Sequence, residues 1–150
     1  MMRRREFLAA CGAAASGAAW AGEGAALETV PVRLRLRDTW TTVMSSSDYR
    51  DNLYFRFRRD GVTGVGEAAP IVRYKESAES ARRAIESLRP LLETASPWRF
   101  SKVMAEVSGR VEGEYAAKAA VDIALMDWVT RRLGVPLHRY LGLDPGDAPL

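Results

Sequence analysis

The dipeptide Asp60-Gly61 separates residues 53–58, in which apolar and polar side chains alternate, from residues 62–67, which are expected to return as a strand that ends before Pro70. Asp-Gly tolerates the positive φ angles of a two-residue turn, and a period of two is typical of a strand with one buried face. The pair therefore predicts a β-hairpin. Residues 32–37 alternate in the same way and predict a strand before it, with one row of side chains on a core and the other in water.

Beyond residue 74 the apolar period changes from two to about 3.6, the spacing of an amphipathic helix. Three helices are predicted, and the longest covers residues 114–133, where small residues on several sides indicate burial on two faces. The fold class is therefore α+β: a three-stranded antiparallel meander followed by a cluster of three to four helices. The signals are Ala81, Ile85, Leu88 and Leu92 with a break at Pro90, the helix start Ser96-Pro97, and the helix stop Gly134 with Pro136.

Residues 1–21 have the three parts of an export signal. Arginines precede an uncharged segment that ends in Ala-Trp-Ala, and its 15 residues are too few to span a bilayer as a helix. The arginine pair resembles a twin-arginine pattern, which implies a periplasmic or secreted protein that meets the membrane only during export. A membrane anchor and a lipidated cysteine are the alternatives. The residues of the pattern are Arg4, Arg5, Phe7 and Leu8.

Most of the net positive charge of the chain lies in that signal. Removal of residues 1–21 takes away three Arg and one Glu, so the net charge falls from +3 to +1. Residues 22–29 lack periodicity and are expected to form a flexible lead-in, with the fold starting near Val30. Residues 41–51 are rich in small polar groups and are expected to form a loop.

One Cys and one His exclude a disulfide framework and a zinc site built from His and Cys. His138 is interpreted as a structural histidine. Asp122 and Asp127 are five residues apart, about 140° around a helix, so they form no acid/base pair on one face and are expected to accept hydrogen bonds from nearby backbone or arginine. Asp144 and Asp147 lie in a Pro/Gly turn, and turn chemistry accounts for them better than a divalent ion does.

Two further patterns suggest binding. Residues 64–69 fit a dinucleotide fingerprint formally, but Pro70 and the preceding hairpin give the wrong context, so the glycines are interpreted as sites of close backbone approach. Arginines on the predicted strands, with Tyr54 among them, would line one polar sheet face, and such a face can bind single-stranded nucleic acid. A solvated face is the preferred interpretation, and no nucleic-acid partner is expected. The arginines are Arg33, Arg35, Arg37, Arg56 and Arg58.

Four motifs occur in order along the chain. They are Asp-Gly-Val-Thr-Gly-Val-Gly-Glu-Ala-Ala-Pro at 60–70, Tyr-Lys-Glu-Ser at 74–77, Ala-Ala-Val-Asp-Ile-Ala-Leu-Met-Asp at 119–127, and Leu-Gly-Val-Pro-Leu at 133–137. With these motifs, residues 30–150 resemble the N-terminal capping domain of the enolase superfamily, in its mandelate racemase and muconate lactonizing branch. The first two are most similar to dipeptide epimerases.

The resemblance implies that the chemistry belongs to a C-terminal barrel. In that family, barrel lysines move a proton α to a carboxylate, and three barrel carboxylates hold Mg²⁺. The chain ends at Leu150, where the first barrel strand is expected to begin. We therefore expect the catalytic residues and the Mg²⁺ ligands to lie outside this chain, and the chain alone to be inactive. A homo-oligomer is one state open to the complete isomerase, and the sequence does not decide it.

The resemblance also implies a role in substrate selection, because two capping-domain loops of the family close over the barrel mouth. Residues 41–49 and 71–74 correspond to them. Many dipeptide epimerases carry an arginine in the first of these loops, whereas none occurs here between residues 41 and 49. This difference leaves room for dipeptides other than Ala-Glu and for other small carboxylates. A muconate cycloisomerase-like activity, a stand-alone exported binding module and an inactive gene remnant are the alternatives. The candidate substrate contacts are Met44, Ser46, Tyr49, Ile71 and Tyr74.

Overall fold

The computed structural model of the chain describes residues 24–43 and 45–143. Three antiparallel strands come first, in the order β1-β2-β3. They are β1 Ala26–Thr41, β2 Ser46–Arg59 and β3 Val62–Ala68. Asp60 and Gly61 have φ angles of 50° and 73°. Both are positive, as the predicted turn requires, so the hairpin is confirmed.

Helices follow the sheet and confirm the α+β fold. None of those between residues 24 and 143 is long and apolar enough to cross a membrane. The α-helices are α1 Ala78–Ser87, α2 Arg89–Thr94, α3 Phe100–Arg110, α4 Tyr115–Leu133 and α5 Leu137–Tyr140, and the 3-10 turns are Val72–Tyr74 and Pro97–Arg99.

Several predictions concern residues outside the described part of the chain. They are those for the export signal, for one candidate substrate contact and for the two turn carboxylates. The residues are Arg4, Arg5, Phe7, Leu8, Met44, Asp144 and Asp147.

Side-chain capping fixes the start of α1. The Ser77 hydroxyl accepts the Ser80 N–H at 3.0 Å, and the Ser80 hydroxyl accepts the Ser77 N–H at 2.9 Å. This reciprocal pair satisfies two N–H groups at the end of the helix. Pro90 lies in the first turn of α2, where its missing N–H has no helical partner to lose. The predicted break is therefore the start of a new helix.

The two later helices differ in how well their ends were predicted. Gly134 ends α4 with φ 68°, as expected of a helix-terminating glycine. The prediction that Ser96 caps α3 is wrong. A 3-10 turn over Pro97–Arg99 separates Ser96 from the helix start at Phe100, and the Ser96 side chain makes no capping hydrogen bond.

The core lies between one face of the sheet, called the inner face, and the helices. Leu53, Phe55 and Phe57 project from β2 onto this face and are fully buried. Trp128 of α4 is also fully buried, and its indole N–H donates to the Arg59 carbonyl at 3.0 Å. The core therefore joins the sheet to the long helix.

Strand β3 packs directly against the backbone of α4. A Cβ on Gly64 would lie 2.0 Å from the Ala124 carbonyl oxygen, and one on Gly66 would lie 1.9 Å from that of Ala120. Only hydrogen fits at these positions. The interpretation of the glycines as sites of close backbone approach is confirmed.

Helix α4 is buried over a broad arc. Small residues such as Ala120 and Ala124 face the sheet, while Ala116 and Val129 extend the buried arc on either side. The expected burial on two faces is confirmed. At the last residue of the helix and beyond it, large apolar side chains are exposed: Leu133, Val135, Leu137, Tyr140, Leu141 and Leu143.

The first strand is longer than the sequence suggested. It begins at Ala26, which pairs with Arg58, so the segment expected to form a flexible lead-in, residues 22–29, contributes a paired strand from residue 26 onward. Its far end also continues to Thr41, which pairs with Ser46. Most of the predicted loop over 41–51 is therefore the start of β2.

The strand register corrects the prediction of one arginine-lined face. Arg33 pairs with Asp51 and Arg35 with Tyr49, which places both arginines on the inner face, in the same row as Leu53. Arg56 lies on the opposite, outer face. The apolar row of β1 is likewise on the outer face, contrary to prediction. This row comprises Val30, Val32 and Leu34, all partly buried.

Candidate functional site at one end of the sheet

Both predicted loops extend from the same end of the sheet. The last pair between β2 and β3 is Leu53 with Ala68, whereas β1 and β2 remain paired as far as Thr41 and Ser46. Hence β1 and β2 continue past β3 as a two-stranded arm, here called the hairpin arm, residues 34–50. The chain leaving β3 enters the segment 69–75, here called the second loop, at that same end.

The hairpin arm exposes several aromatic and apolar groups. Trp40, Val43 and Tyr49 are 59%, 104% and 46% exposed. The arm ends in a tight turn, in which the Thr42 N–H donates to the Ser45 carbonyl at 2.8 Å. Ser46 lies beside it, its hydroxyl 2.9 Å from that of Thr41. These contacts close the tip and leave the apolar groups at the surface.

Tyr49 sits beside an ion pair at the base of the hairpin arm. The guanidinium of Arg33 lies 4.3 Å from the centre of the Tyr49 ring. The same guanidinium donates to both carboxylate oxygens of Asp51, at 2.7 and 2.8 Å. These hydrogen bonds lower the pKa of Asp51. The charge of Arg33 is thus already compensated, and its side chain supports the tyrosine ring.

The second loop has an exposed apolar surface and two cations. Ile71, Val72 and Tyr74 are more than half exposed. Arg73 and Lys75 are also exposed, and within the described residues neither forms an ion pair. The loop therefore offers apolar contact and uncompensated positive charge together.

Tyr74 is held by a second aromatic ring. Its ring centre lies 5.3 Å from that of Tyr115, at an interplanar angle of 60°. Tyr115 is the first residue of α4, so the second loop is braced by the N-terminus of that helix. Edge-to-face packing of this kind orients a ring without burying it completely.

Glu76 is a functional candidate that the sequence reasoning missed. It is 8% exposed, and its carboxylate accepts the N–H of Tyr115 at 2.6 Å and that of Ala116 at 3.3 Å. The Tyr-Lys-Glu-Ser motif contained the residue, but its role could not be recognised because its partners lie about forty positions later in the chain. A carboxylate directly before the helix-capping Ser77 was the available signal.

A second carboxylate fixes the other end of the second loop. The side-chain amide of Asn52, a buried residue, donates to Glu67 at 2.6 Å. Glu67 is the penultimate residue of β3. The second loop is therefore tied to β2 at its start and to α4 at its end.

An open cleft of about 580 Å³ lies beside these elements, between β1, β2 and the start of α1. Two ion pairs border it, Arg33 with Asp51 and Arg82 with Glu79. Hydrogen bonding to Arg82 lowers the pKa of Glu79. A general base works best with a pKa near the operating pH, and the paired arginines lower the pKa of both carboxyl groups, which makes them poor general bases.

The fold and the sequence agree with a known domain family. The model of the mandelate racemase / muconate lactonizing enzyme N-terminal domain matches residues 26–142. The chain belongs to this family. An L-Ala-D/L-amino acid epimerase of Pedosphaera parvula is 35% identical over 120 residues, which cover 75% of this chain and 33% of that protein. The chain thus spans about a third of the length of the curated relatives it matches.

Solved structures of mandelate racemase / muconate lactonizing enzyme relatives share the fold. A dipeptide epimerase from Methylococcus capsulatus, complexed with Mg and the dipeptide L-Arg-D-Lys, superposes with a TM-score of 0.73 at 28% identity, over 80% of this chain and 35% of that one. A muconate lactonizing enzyme from Pseudomonas fluorescens, complexed with muconolactone, gives 0.75 at 27% identity, over 83% and 35%. The similarity thus includes both a dipeptide epimerase and a muconate lactonizing enzyme.

In this mandelate racemase / muconate lactonizing enzyme N-terminal domain, the candidate contacts form two sets at one end of the sheet. Ser46 and Tyr49 lie on β2 in the hairpin arm rather than in a loop, and Ile71 and Tyr74 lie in the second loop. The two tyrosines have different immediate neighbours, Arg33 for one and Tyr115 for the other. Their role as substrate contacts stays a prediction.

Of the remaining candidates, Asp127 has the predicted hydrogen-bond partners. Asp127 accepts the Val65 N–H at 2.9 Å and the Arg131 guanidinium at 2.8 Å, as predicted. It thereby satisfies an N–H on the free edge of β3. Asp122 is partly exposed on α4 and makes no hydrogen bond or ion pair with the described residues, so the prediction made for it is wrong. His138 is exposed on α5, and its interpretation as a structural histidine stays a prediction.

The N-terminal domain does not fit a metal ion in its described part. Within residues 24–43 and 45–143, no three carboxylate, histidine or cysteine side chains are grouped so that they could hold one. The Mg present in the solved dipeptide epimerase therefore has no counterpart site among these residues.

Proposed function

We propose that this chain is the substrate-selecting domain of an epimerase that acts on dipeptides or similar small carboxylates. The supporting observation is that the hairpin arm and the second loop expose aromatic and apolar side chains at one end of the sheet. Relatives whose names specify dipeptide epimerisation have the same domain. In the proposed enzyme, the remaining two thirds form the catalytic barrel and hold the Mg²⁺ ion.

In the proposed mechanism, this domain binds the substrate and takes no part in proton transfer. Tyr49 and Tyr74 contact the substrate side chain, while Ile71 and Val72 exclude water from the closed site. Arg73 and Lys75 attract a substrate that carries a carboxylate. Proton abstraction α to that carboxylate belongs to the barrel, where Mg²⁺ would stabilise the developing negative charge.

The test is a comparison of kcat/KM across dipeptides with apolar, acidic and basic C-terminal residues, using the full-length enzyme. Tyr49→Ala and Tyr74→Ala should change the ratios between substrates by about tenfold. Tyr54→Ala, on the outer face of the sheet, is the matched control and should leave the ratios unchanged. Unchanged ratios in both loop variants would overturn the proposal. Turnover of a muconate in place of every dipeptide would assign the cycloisomerase branch.

The exposed apolar groups after α4 support association with the rest of such an enzyme. A domain separated from its barrel should bind a hydrophobic dye and aggregate, because that surface is left in water. A stand-alone binding module would instead be a well-behaved monomer that does not bind the dye. Dye fluorescence and light scattering on the isolated chain distinguish these two hypotheses, and on the full-length enzyme light scattering tests the proposed homo-oligomer.

Export through the twin-arginine pathway is part of the proposal and rests on Arg4, Arg5, Phe7 and Leu8. The expected location of the enzyme is the periplasm or the medium. Replacing both arginines by lysine should retain the protein inside the cell, since the pathway reads the arginine pair. Fractionation and immunoblotting measure this. Equal export of both forms would contradict it.

A further inference from the structure

We propose that Glu76 is a specificity-determining positioning residue that sets the orientation of the second loop by binding the N-terminus of α4. The inference rests on the proposed function, in which that loop contacts substrate. The carboxylate of Glu76 is buried and accepts the Tyr115 N–H at 2.6 Å and the Ala116 N–H at 3.3 Å. It touches no reacting atom and acts through the loop.

Helix α4 needs an acceptor from elsewhere in the chain. The first N–H groups of a helix have no partner within it, and the positive end of the helix dipole favours an anion there. The residue at the N-cap position, Glu114, is in a left-handed conformation with φ 46° and makes no capping hydrogen bond. Its carboxylate instead accepts the Ser80 hydroxyl at 3.0 Å. Glu76 therefore supplies the cap.

The cap also fixes the tyrosine of the second loop. Tyr74 lies two residues before Glu76, and its ring packs against Tyr115, whose N–H the carboxylate holds. Residues 74–76 thus contact the start of α4 at two points, through a hydrogen bond of Glu76 and through the ring of Tyr74. A shift of the carboxylate would move the tyrosine ring with it.

The backbone between these two points is strained. Lys75 has φ 60° and ψ 26°, a left-handed conformation that a lysine rarely adopts. Such a conformation persists only where the surrounding contacts determine it. Glycine adopts it without penalty, so Lys75→Gly should preserve the loop geometry while removing the strain and the charge.

The first experiment measures the position of the ring in the full-length enzyme without substrate, with the tyrosine rings isotopically labelled, independently of catalysis. Nuclear Overhauser contacts between Tyr74 and Tyr115 should be present in the wild type, weaken in Glu76→Gln and disappear in Glu76→Ala. Glu86→Gln is the matched control, because that carboxylate pairs with Arg89 on a helix surface. Intact ring contacts in folded Glu76→Ala would overturn the inference, whether or not any dipeptide is turned over.

The second experiment measures specificity in the full-length enzyme. Glu76→Gln should raise KM for the preferred dipeptide by about tenfold with kcat nearly unchanged. It should also bring the kcat/KM values of the different dipeptides closer together. A merely structural role would reduce the amount of active enzyme and leave KM and the substrate ratios at their wild-type values. That result would also overturn the inference. Wild-type enzyme inactive on every dipeptide would overturn the proposed function, and the ring measurement would still decide the position of Tyr74.

Discussion

Replacing Gly66 or Gly64 by alanine should destabilise the domain strongly, because β3 and α4 meet backbone to backbone. The added Cβ would lie 1.9 Å from the Ala120 carbonyl oxygen or 2.0 Å from that of Ala124. Ordinary contact begins near 3.4 Å, so strand and helix must separate by about 1.5 Å at Gly66 or about 1.4 Å at Gly64. No flexible side chain can move away in their place.

The magnitude follows from the cost of overpacking a tightly packed interior. Insertions of this kind typically cost about 1–3 kcal/mol, and a clash with backbone belongs at the upper end, about 3 kcal/mol. With a urea m-value of about 2 kcal/mol/M, the midpoint of unfolding should fall by about 1.5 M. The double variant should lose less than the sum, because one separation relieves both clashes.

The assay is urea unfolding of the full chain followed by far-ultraviolet circular dichroism. Gly109→Ala is the matched control: it lies inside α3 with no atom within 4 Å of the added Cβ. Alanine there should stabilise the domain by about 0.5–1 kcal/mol through helix propensity. Equal midpoints for Gly66→Ala and the wild type would refute the close packing of β3 on α4.

Other substitutions test single interactions, each by its effect on unfolding or exchange. Ser77→Ala should cost about 1 kcal/mol through loss of the capping box, measured by urea unfolding. Asp127→Ala should accelerate hydrogen exchange at the Val65 amide, since that N–H loses its acceptor. The hydrogen bond from Arg89 lowers the pKa of Glu86 below 4.5, so its stabilisation is present above that pH and lost as the pH falls through the folded-state pKa. On acidification, the free energy of unfolding of Glu86→Gln should therefore fall less than that of the wild type. The difference between the two falls should be below about 1 kcal/mol, as expected for a partly exposed pair.

The elements set by local chemistry were predictable from the sequence. Asp60-Gly61 specifies its turn through positive φ angles, and Gly134 ends the long helix for the same reason. The glycines of β3 indicated close approach because no side chain occupies their inward positions. In each case the structure depends on residues that are neighbours in the chain, or on a glycine, which has no side chain and accepts positive φ angles.

The elements set by pairing between strands were not predictable. Residues 26–29 have no periodicity of their own and become part of β1 because β2 is long enough to pair with them. The same register decides the faces of the arginines, since a shift of one residue exchanges the two sides of a strand. Val32 and Leu34 were expected to face the core because they form the apolar row of residues 32–37, and the register places them on the outer face.

The location of the candidate site could be predicted from the sequence. The residues that hold its side chains in place could be predicted only in part. Tyr49 and Tyr74 were found through the resemblance of the chain to a family. Glu76 was missed because its partners, Tyr115 and Ala116, are brought to it by packing of the whole helix. A buried carboxylate that caps a helix from a distant loop has no signature in the local sequence.

The most direct test of the proposed activity is exchange of the α-proton in D2O. Full-length enzyme with Mg²⁺ is incubated with dipeptides, and proton NMR follows the α-position next to the carboxylate. We expect loss of that signal and appearance of the second diastereomer for at least one dipeptide, with Tyr74→Ala changing which dipeptide exchanges fastest. A folded enzyme that exchanges the α-proton of no dipeptide would contradict the account.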